Sequence, residues 1–223
     1  MHQSEFTTAT WHRAGPDPHA RRIRLQARGI TKRYRRRPVL RDVHLTVHAG
    51  EVAAVVGANG SGKSTLLKIC AGLVSPDSGE VLLHGTVGYC PQDVGVFGFL
   101  LPDEHFALFG VGRGMSRSQA RSHGRRIAAE LEWNAAEPTQ ARHLSGGTQQ
   151  KLNLALAALG EADIMLLDEP YQGFDRGSYL DFWQHVGGWR DAGKAVVVIT
   201  HMLNSLDRVD QVLDLTPRAG DAR

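Results

Sequence analysis

Val52-Ala-Ala-Val-Val-Gly57-Ala-Asn-Gly-Ser-Gly-Lys-Ser64 is the stretch that decides the architecture of this 223-residue chain. Val52 to Val56 are apolar without alternation, which reads as a strand covered on both faces, because a strand with one wet face would alternate. They run directly into Gly57 to Ser64, a fit to GxxxxGK[ST], and from there into a helix-forming stretch, Ser64 to Ala71. A polyphosphate needs many donors in a small volume. Glycines let the backbone wrap it, the N–H groups from Gly60 to Thr65 point inward, and a helix N-terminus adds partial positive charge. Lys63 is placed to neutralise the β and γ phosphates, and the Ser64 hydroxyl to ligate Mg²⁺, which prefers oxygen. Gly57, Ala58, Asn59, Gly60, Ser61, Gly62, Lys63, Ser64 and Thr65 are therefore the candidate nucleotide-binding loop. Asn59-Gly60-Ser61 also spells a glycosylation acceptor, a coincidence if the loop binds phosphate in a cytosolic protein.

Downstream, Ile164-Met-Leu-Leu-Asp168-Glu169-Pro170 puts two acids where a second doubly covered strand emerges. That is the end of the sheet at which open α/β folds bind ligands. An apolar run followed by an acid is a common string, and it gains meaning from the phosphate loop upstream. In a hydrolase of this design Asp168 holds Mg²⁺ through water and Glu169 polarises the attacking water, since phosphoryl transfer needs positioning and charge compensation more than covalent chemistry.

Around these two strings the chain alternates strand and helix. Strands read at Ile23 to Ile30, Val43 to Val47, Val81 to Leu83, Ile164 to Leu167 and Val196 to Thr200. The last two are continuous apolar runs, whereas the first two alternate and suit an antiparallel edge. Ser116 to Glu132 reads as an Arg-rich amphipathic helix, and Leu152, Ala155, Leu156 and Leu159 recur at helical spacing. The alternation predicts an α/β fold with a parallel-sheet core, and the stretch from about Pro102 to Arg142 reads as a helical insertion.

Composition narrows the class further. With 42% hydrophobic residues the chain is too apolar for disorder, and no stretch approaches the ~18–20 consecutive apolar residues of a bilayer span. Cys70 and Cys90 are the only cysteines. Without a CxxC they argue against a disulfide scaffold and a structural zinc site, and for a reducing cytosol. The first ~20 residues lack the apolar region of a signal peptide and read as a frayed extension. Between Arg13 and Arg41 there are eleven basic residues and one acid, Asp17. Such an arm suits nucleic acid or an anionic membrane surface; the plainer reading, adopted here, is a solvated tail running into an exposed first strand, with no nucleic-acid partner.

The string that decides the family is Leu144-Ser-Gly-Gly-Thr-Gln-Gln-Lys151, just before the helical repeat. Here the sequence resembles the ATP-binding cassette superfamily, whose signature is LSGGQxQR or a near variant. Physically, two glycines and a serine at a helix start make a small anion site that touches one phosphate but cannot hold a whole nucleotide. The resemblance implies that the signature of one cassette closes on the phosphate loop of another. Leu144, Ser145, Gly146, Gly147, Thr148 and Gln149 then act in trans, in an ATP-dependent head-to-tail dimer. Thr148 stands where the family usually has Gln, and Lys151 where it has Arg.

The resemblance extends position by position. Tyr34 sits where the family places an aromatic against adenine, a base-tolerant stacking role. Gln92, in Gly88-Tyr-Cys-Pro-Gln92, matches the glutamine that reaches Mg²⁺ and the attacking water. Asp175, in Tyr171-Gln-Gly-Phe-Asp175, matches the aspartate of the dimer seam, although the family more often has small residues before a Leu-Asp pair. His201 matches the histidine that senses the γ-phosphate, and imidazole suits a switch near neutral pH. The other histidines read as surface or tail residues.

What the resemblance implies is an α/β phosphate-loop NTPase core, mostly parallel with an antiparallel N-terminal β subdomain, plus a helical subdomain carrying the signature at about 100–160. The expected organisation is a flexible extension over 1–22, one ATPase domain over 23–215 and a short tail over 216–223. The implied activity is hydrolysis of ATP with Mg²⁺ held by Ser64, Gln92 and Asp168, and catalysis by Glu169, His201, Gln92 and Lys63. The implied partners are a second copy, or a related cassette, and a separate polytopic membrane permease at the inner face of the cell membrane. Gly88 to Gln92 followed by Pro102 to Phe109 is similar to the branch that exports antibiotics, drugs and lipid-like molecules. In that branch Phe97, Phe99, Phe106 and Phe109 would line a groove for a helix of the membrane subunit. Two other readings are a soluble ATP-gated clamp using the basic arm and a phosphate-loop kinase; the second leaves the LSGG string, Gln92 and His201 without a role.

Overall fold

Three pentapeptides of unbroken apolar character build the centre of the molecule. In the computed structural model, which describes residues 12–13, 22–35, 37–174, 176–201 and 208–216, β4 (Val52–Val56), β7 (Ile164–Asp168) and β8 (Ala195–Ile199) are buried at every position. They form a parallel sheet with β6 (Val87–Cys90) and β9 (Gln211–Asp214), in the order β6-β7-β8-β4-β9. β8 thus separates the strand of the phosphate loop from the strand of the two acids.

The continuous apolar runs have a packing cause. Along β7 and β8 alternate residues enter two different cores. Met165, Leu167, Val196 and Val198 face Phe106, Leu152, Leu156 and Phe182 on one side. Ile164, Leu166, Val197 and Ile199 face α1 (Lys63–Cys70) and the second sheet on the other. With both faces covered, polar alternation would bury unpaired groups at a cost of about 1–3 kcal/mol each.

The second sheet has the order β1-β5-β2-β3, formed by β1 (His12–Arg13), β5 (Ser78–Leu83), β2 (Ile23–Tyr34) and β3 (Arg37–His48). β2 is antiparallel to both β3 and β5. The expected edge pair is therefore half an edge: β3 lies outside, and β2 is an inner strand. Both run longer than their apolar residues, because cations at the surface continue the strands. Arg28 pairs with Glu80 at 3.1 Å and Lys32 with Asp77 at 2.9 Å, so part of the basic segment is sheet surface rather than tail. Most of the expected extension, the last seven residues, Arg36 and Asp175 lie outside the described residues.

Between the sheets and the signature string lie α2 (Pro102–Val111) and α3 (Arg117–Glu130), followed by α4 (Gly146–Ala158); α5 (Arg176–Asp191) links β7 to β8. α3 begins with Ser116 accepting from the Gln119 N–H while the Gln119 side chain accepts from the Ser116 N–H, a reciprocal cap that fixes its start.

β6 is positioned by close packing on α4. A Cβ added at Gly88 would lie 2.2 Å from the Ala157 carbonyl oxygen, which is backbone and cannot swing aside. Gly88→Ala is expected to destabilise the chain by about 1–3 kcal/mol, the usual cost of overpacking, read as a fall in the urea midpoint at unchanged m. An unchanged midpoint contradicts this packing.

Candidate functional site

The loop Gly57 to Ser64 leaves the carboxyl end of β4 and wraps the first turn of α1. Gly62, the N-cap, has φ 100°, and a Cβ there would meet the Val39 carbonyl oxygen at 2.8 Å. Both the left-handed backbone and the approach of β3 demand glycine. Lys63 is buried, with Nζ donating to the Gly57 and Ala58 carbonyls at 2.9 and 3.1 Å. Among the described residues the Ser61 hydroxyl, which is buried, has no hydrogen-bond partner. A buried ammonium held only by neutral carbonyls, an orphaned hydroxyl and the unpaired first-turn N–H groups of a helix together fit an anion rich in oxygen acceptors.

Opposite this loop, the Ser64 hydroxyl donates to Asp168 Oδ1 at 3.2 Å. Asp168 is 1% exposed. Burial holds its carboxyl above the usual range; the Ser64 bond opposes this, the charge of Glu169 adds to it, and Lys68 and Lys63 oppose it again. A buried carboxylate beside a hydroxyl is a site that a divalent cation suits.

Glu169, next in the chain, has φ 47°, in the left-handed region that a side chain rarely adopts. Its Oε2 accepts from Gln92 Nε2 at 3.1 Å and from Gln172 Nε2 at 2.7 Å. Its Oε1 pairs with His201 Nε2. The structure thus brings Gln92, Glu169 and His201 together from the ends of β6, β7 and β8. Two neighbours were not anticipated. Gln172 reaches back three residues, and Tyr171 OH donates to Thr200 Oγ1 beside His201. Burial pushes the Tyr171 phenol up to about 12, so it serves as a donor. An amide three residues after an acid in a Pro-containing turn was the available signal for Gln172.

Ser145 caps α4: its Oγ accepts from the Thr148 N–H at 3.2 Å and lies 2.8 Å from Thr148 Oγ1. Gln149 Nε2 donates to the Ala141 and Leu144 carbonyls at 3.0 and 3.1 Å, pinning the turn into the helix. Among the described residues no hydrogen bond joins Leu144–Gln149 to Gly57–Thr65. Tyr34, at the end of β2, is 48% exposed, with Lys32 Nζ 5.7 Å from its ring centroid.

Two expectations need correction. His105 is fully buried rather than a surface residue: Nε2 accepts from the Phe97 N–H at 2.8 Å, so Nδ1 carries the hydrogen that goes to the Leu101 carbonyl at 2.9 Å. Burial lowers its pKa and keeps the ring neutral. Of the four phenylalanines expected in a groove, Phe106 is core and Phe109 packs partly against it, leaving Phe97 and Phe99 at 54% and 70% exposure.

A five-stranded parallel sheet with a phosphate loop on one strand and paired acids two strands away defines a phosphate-loop nucleotide-binding domain. The family profile described as ABC transporter matches residues 40–172. The chain belongs to the ABC transporter family and is an ABC ATPase domain. It is 31% identical over 197 residues to "Phospholipid-transporting ATPase ABCA7" of Homo sapiens, covering 82% of this chain and 9% of that protein. It is 33% identical over 201 residues to "ABC-type organic anion transporter ABCA8B" of Mus musculus, covering 82% of this chain and 12% of that protein. The chain therefore spans about a tenth of the length of these relatives. "Dimeric Structure of MJ0796, a Bacterial ABC Transporter Cassette" superposes with a TM-score of 0.80 at 25% identity, covering 86% of this chain and 94% of that one. Among the described residues no helix is long and apolar enough to cross a membrane.

The raised pKa of Asp168 has a stability consequence. A carboxyl whose folded pKa lies above its unfolded value favours the fold below the unfolded pKa, near 3.9, and that advantage is lost as pH rises through the folded one. Asp168→Asn is expected to raise the melting temperature at pH 7 by on the order of 2–4 °C, a gain that shrinks toward pH 4 and below. Thermal unfolding of the nucleotide-free chain at both pH values checks this; no gain at pH 7 contradicts the assigned cost of burial.

Proposed function

We propose that the chain binds MgATP, hydrolyses it, and thereby drives a separate membrane subunit that exports a small lipid-like or organic-anion molecule. The observation that carries this reading is the convergence of Gln92, Glu169 and His201 beside the Ser64–Asp168 pair, at the edge where Lys63 lies. In this reading Gly57 to Thr65 cradle the phosphates and Tyr34 stacks on adenine. Lys63 exchanges two neutral carbonyls for charged phosphate oxygens, a stronger set of acceptors. Ser64, Asp168 and Gln92 would hold Mg²⁺, which would supply positive charge to offset that of the phosphates. Glu169 orients the attacking water and accepts its hydrogen bond, and His201 faces the γ-phosphate.

Leu144 to Gln149 present the exposed Ser145 and Gly146 at a helix N-terminus, with no hydrogen bond to the chain's own loop among the described residues, which supports their acting on a second cassette. The dimeric cassette named above supports pairing. The partner is a second copy or a related cassette, with Asp175 at the seam. Phospholipid and organic anion are the cargoes in the names of the two relatives, and they support the lipid-like or anionic class here. For the membrane subunit, Phe97 and Phe99 offer exposed aromatic faces between Gln92 and α2. Arg142 lies 4.5 Å from the Phe99 ring and the buried His105 holds the Phe97 backbone. Such a subunit places the chain on the cytoplasmic face of the membrane. The nucleic-acid reading is weaker, because Arg28 and Lys32 already pair with acids.

Glu169→Gln is expected to lower hydrolysis by about 100-fold or more and to leave an ATP-dependent dimer of extended lifetime, followed by light scattering. A dimer lifetime equal to that of the unaltered chain rejects the role given to Glu169. Captured from gently solubilised source cells, the same variant is expected to bring down a polytopic membrane protein that lacks a cassette. Adding Phe99→Glu is expected to reduce that recovery about tenfold. Ribosomal or DNA-bound partners without a membrane protein reject the transport reading.

A further inference from the structure

We propose that Gln172 is a positioning residue for the Glu169 carboxylate, holding it in register through the catalytic cycle. The inference rests on the assignment of Glu169 as the group that orients water, and adds to it a residue with no role so far. Gln172 Nε2 lies 2.7 Å from Glu169 Oε2, closer than Gln92 Nε2 at 3.1 Å on the same oxygen. The two donors differ in where they are attached. Gln92 stands on an exposed segment after β6, and its proposed role takes its amide to a metal ion, away from Glu169. Gln172 stands on the same turn as Glu169, closed by its own N–H on the Glu169 carbonyl at 3.3 Å. Its side-chain donor therefore travels with the carboxylate.

That turn is anchored on both sides. Tyr171 OH bonds Thr200 at the end of β8. On the other side Gly173, with φ 79°, lies so close to the start of α4 that a Cβ on Gly147 would sit 2.7 Å from the Gly173 carbonyl oxygen. Phe174 N–H closes the next turn on the Tyr171 carbonyl at 3.1 Å, and Lys151 Nζ lies 6.0 Å from the Phe174 ring centroid. The backbone under Glu169 is thus anchored, and the remaining freedom is rotation of the carboxylate about its side-chain bonds. His201 meets Oε1, and on Oε2 the donor at 2.7 Å from a neighbouring amide limits that rotation; a charge-assisted bond of this kind is among the stronger ones.

Gln172→Met keeps the length of the side chain and removes the donor, whereas Gln172→Asn keeps a shorter amide. Gln172→Met is expected to lower single-turnover hydrolysis about tenfold at saturating ATP, with the ATP Kd and the melting temperature unchanged, the size expected for losing one hydrogen bond to a charged group. Gln172→Asn is expected to recover part of that rate, and Gln172→Met added to Glu169→Gln is expected to cost nothing further, since both act through one carboxylate. A Gln172→Met rate within twofold of the unaltered chain, with Glu169→Gln inactive, overturns the positioning role and leaves Glu169 in place. A parallel loss of ATP affinity or of melting temperature overturns it in favour of a structural role. A Glu169→Gln chain that hydrolyses at the unaltered rate removes both assignments together.

Discussion

The Ser64 hydroxyl, in the first turn of the helix that follows β4, and the Asp168 carboxylate, at the end of β7, meet at 3.2 Å although β4 and β7 are not neighbours. β8 runs between β4 and β7, and this insertion organises the rest of the site. Because all three strands are parallel, their carboxyl ends share one edge, and the residues after β8 emerge between the loop and the acids. That is why His201 meets Glu169 and why Thr200 is within reach of Tyr171. The arrangement buries a lysine and a carboxylate close together, with only partial compensation. Burial of that kind is tolerated where the scaffold is rigid and well packed, and the two cores on either side of the sheet supply that rigidity.

The polar groups of the site satisfy one another. Lys63 bonds loop carbonyls, Ser64 bonds Asp168, and Glu169 accepts from Gln92, Gln172 and His201. Leaving any of them unpaired would cost more than the bond itself contributes, so the arrangement is held by the penalty for breaking it. The segments that carry these groups are coupled, because they share the same few polar atoms. The orphaned Ser61 hydroxyl is the exception.

What was legible in the sequence follows from what repeats locally. Val52 to Val56 coincide with β4, and Ile164 to Leu167 and Val196 to Thr200 fall within a residue of β7 and β8, because burial on both faces leaves an unmistakable run. β6 and β9 left no such mark. Val87-Gly-Tyr-Cys is short and carries a glycine required by α4, and Gln211 to Asp214 alternates at an exposed edge. α5, with three glycines in sixteen residues, gives no clean helical signal. His105 was misread for a different reason. A buried histidine is tolerable only when both nitrogens find partners, and here these are backbone groups of a loop, which no spacing reveals. The phosphate loop, the acids and the signature string were legible because each needs a fixed local geometry; Gln172 was not, because its partner is set by a turn.

The positions at which the chain departs from the familiar cassette pattern lie together in space. Thr148 and Lys151 are on the first turns of α4; Tyr171, Gln172, Gly173 and Phe174 follow the two acids. Thr148 puts a short hydroxyl beside Ser145 where the family usually has a long amide, and Gln149 bonds the preceding loop. Lys151 keeps a cation that a neighbouring aromatic face can receive, and Phe174 supplies that face at 6.0 Å. Gly147 and Gly173 let the two backbones approach. The two segments share one contact, so a substitution in either alters the energy of both. The start of α4 and the turn after Glu169 are therefore packed directly against each other. Through that contact the start of α4, with Ser145 and Gly146 exposed at its tip, lies against the same backbone that carries Glu169 and Gln172 within one chain.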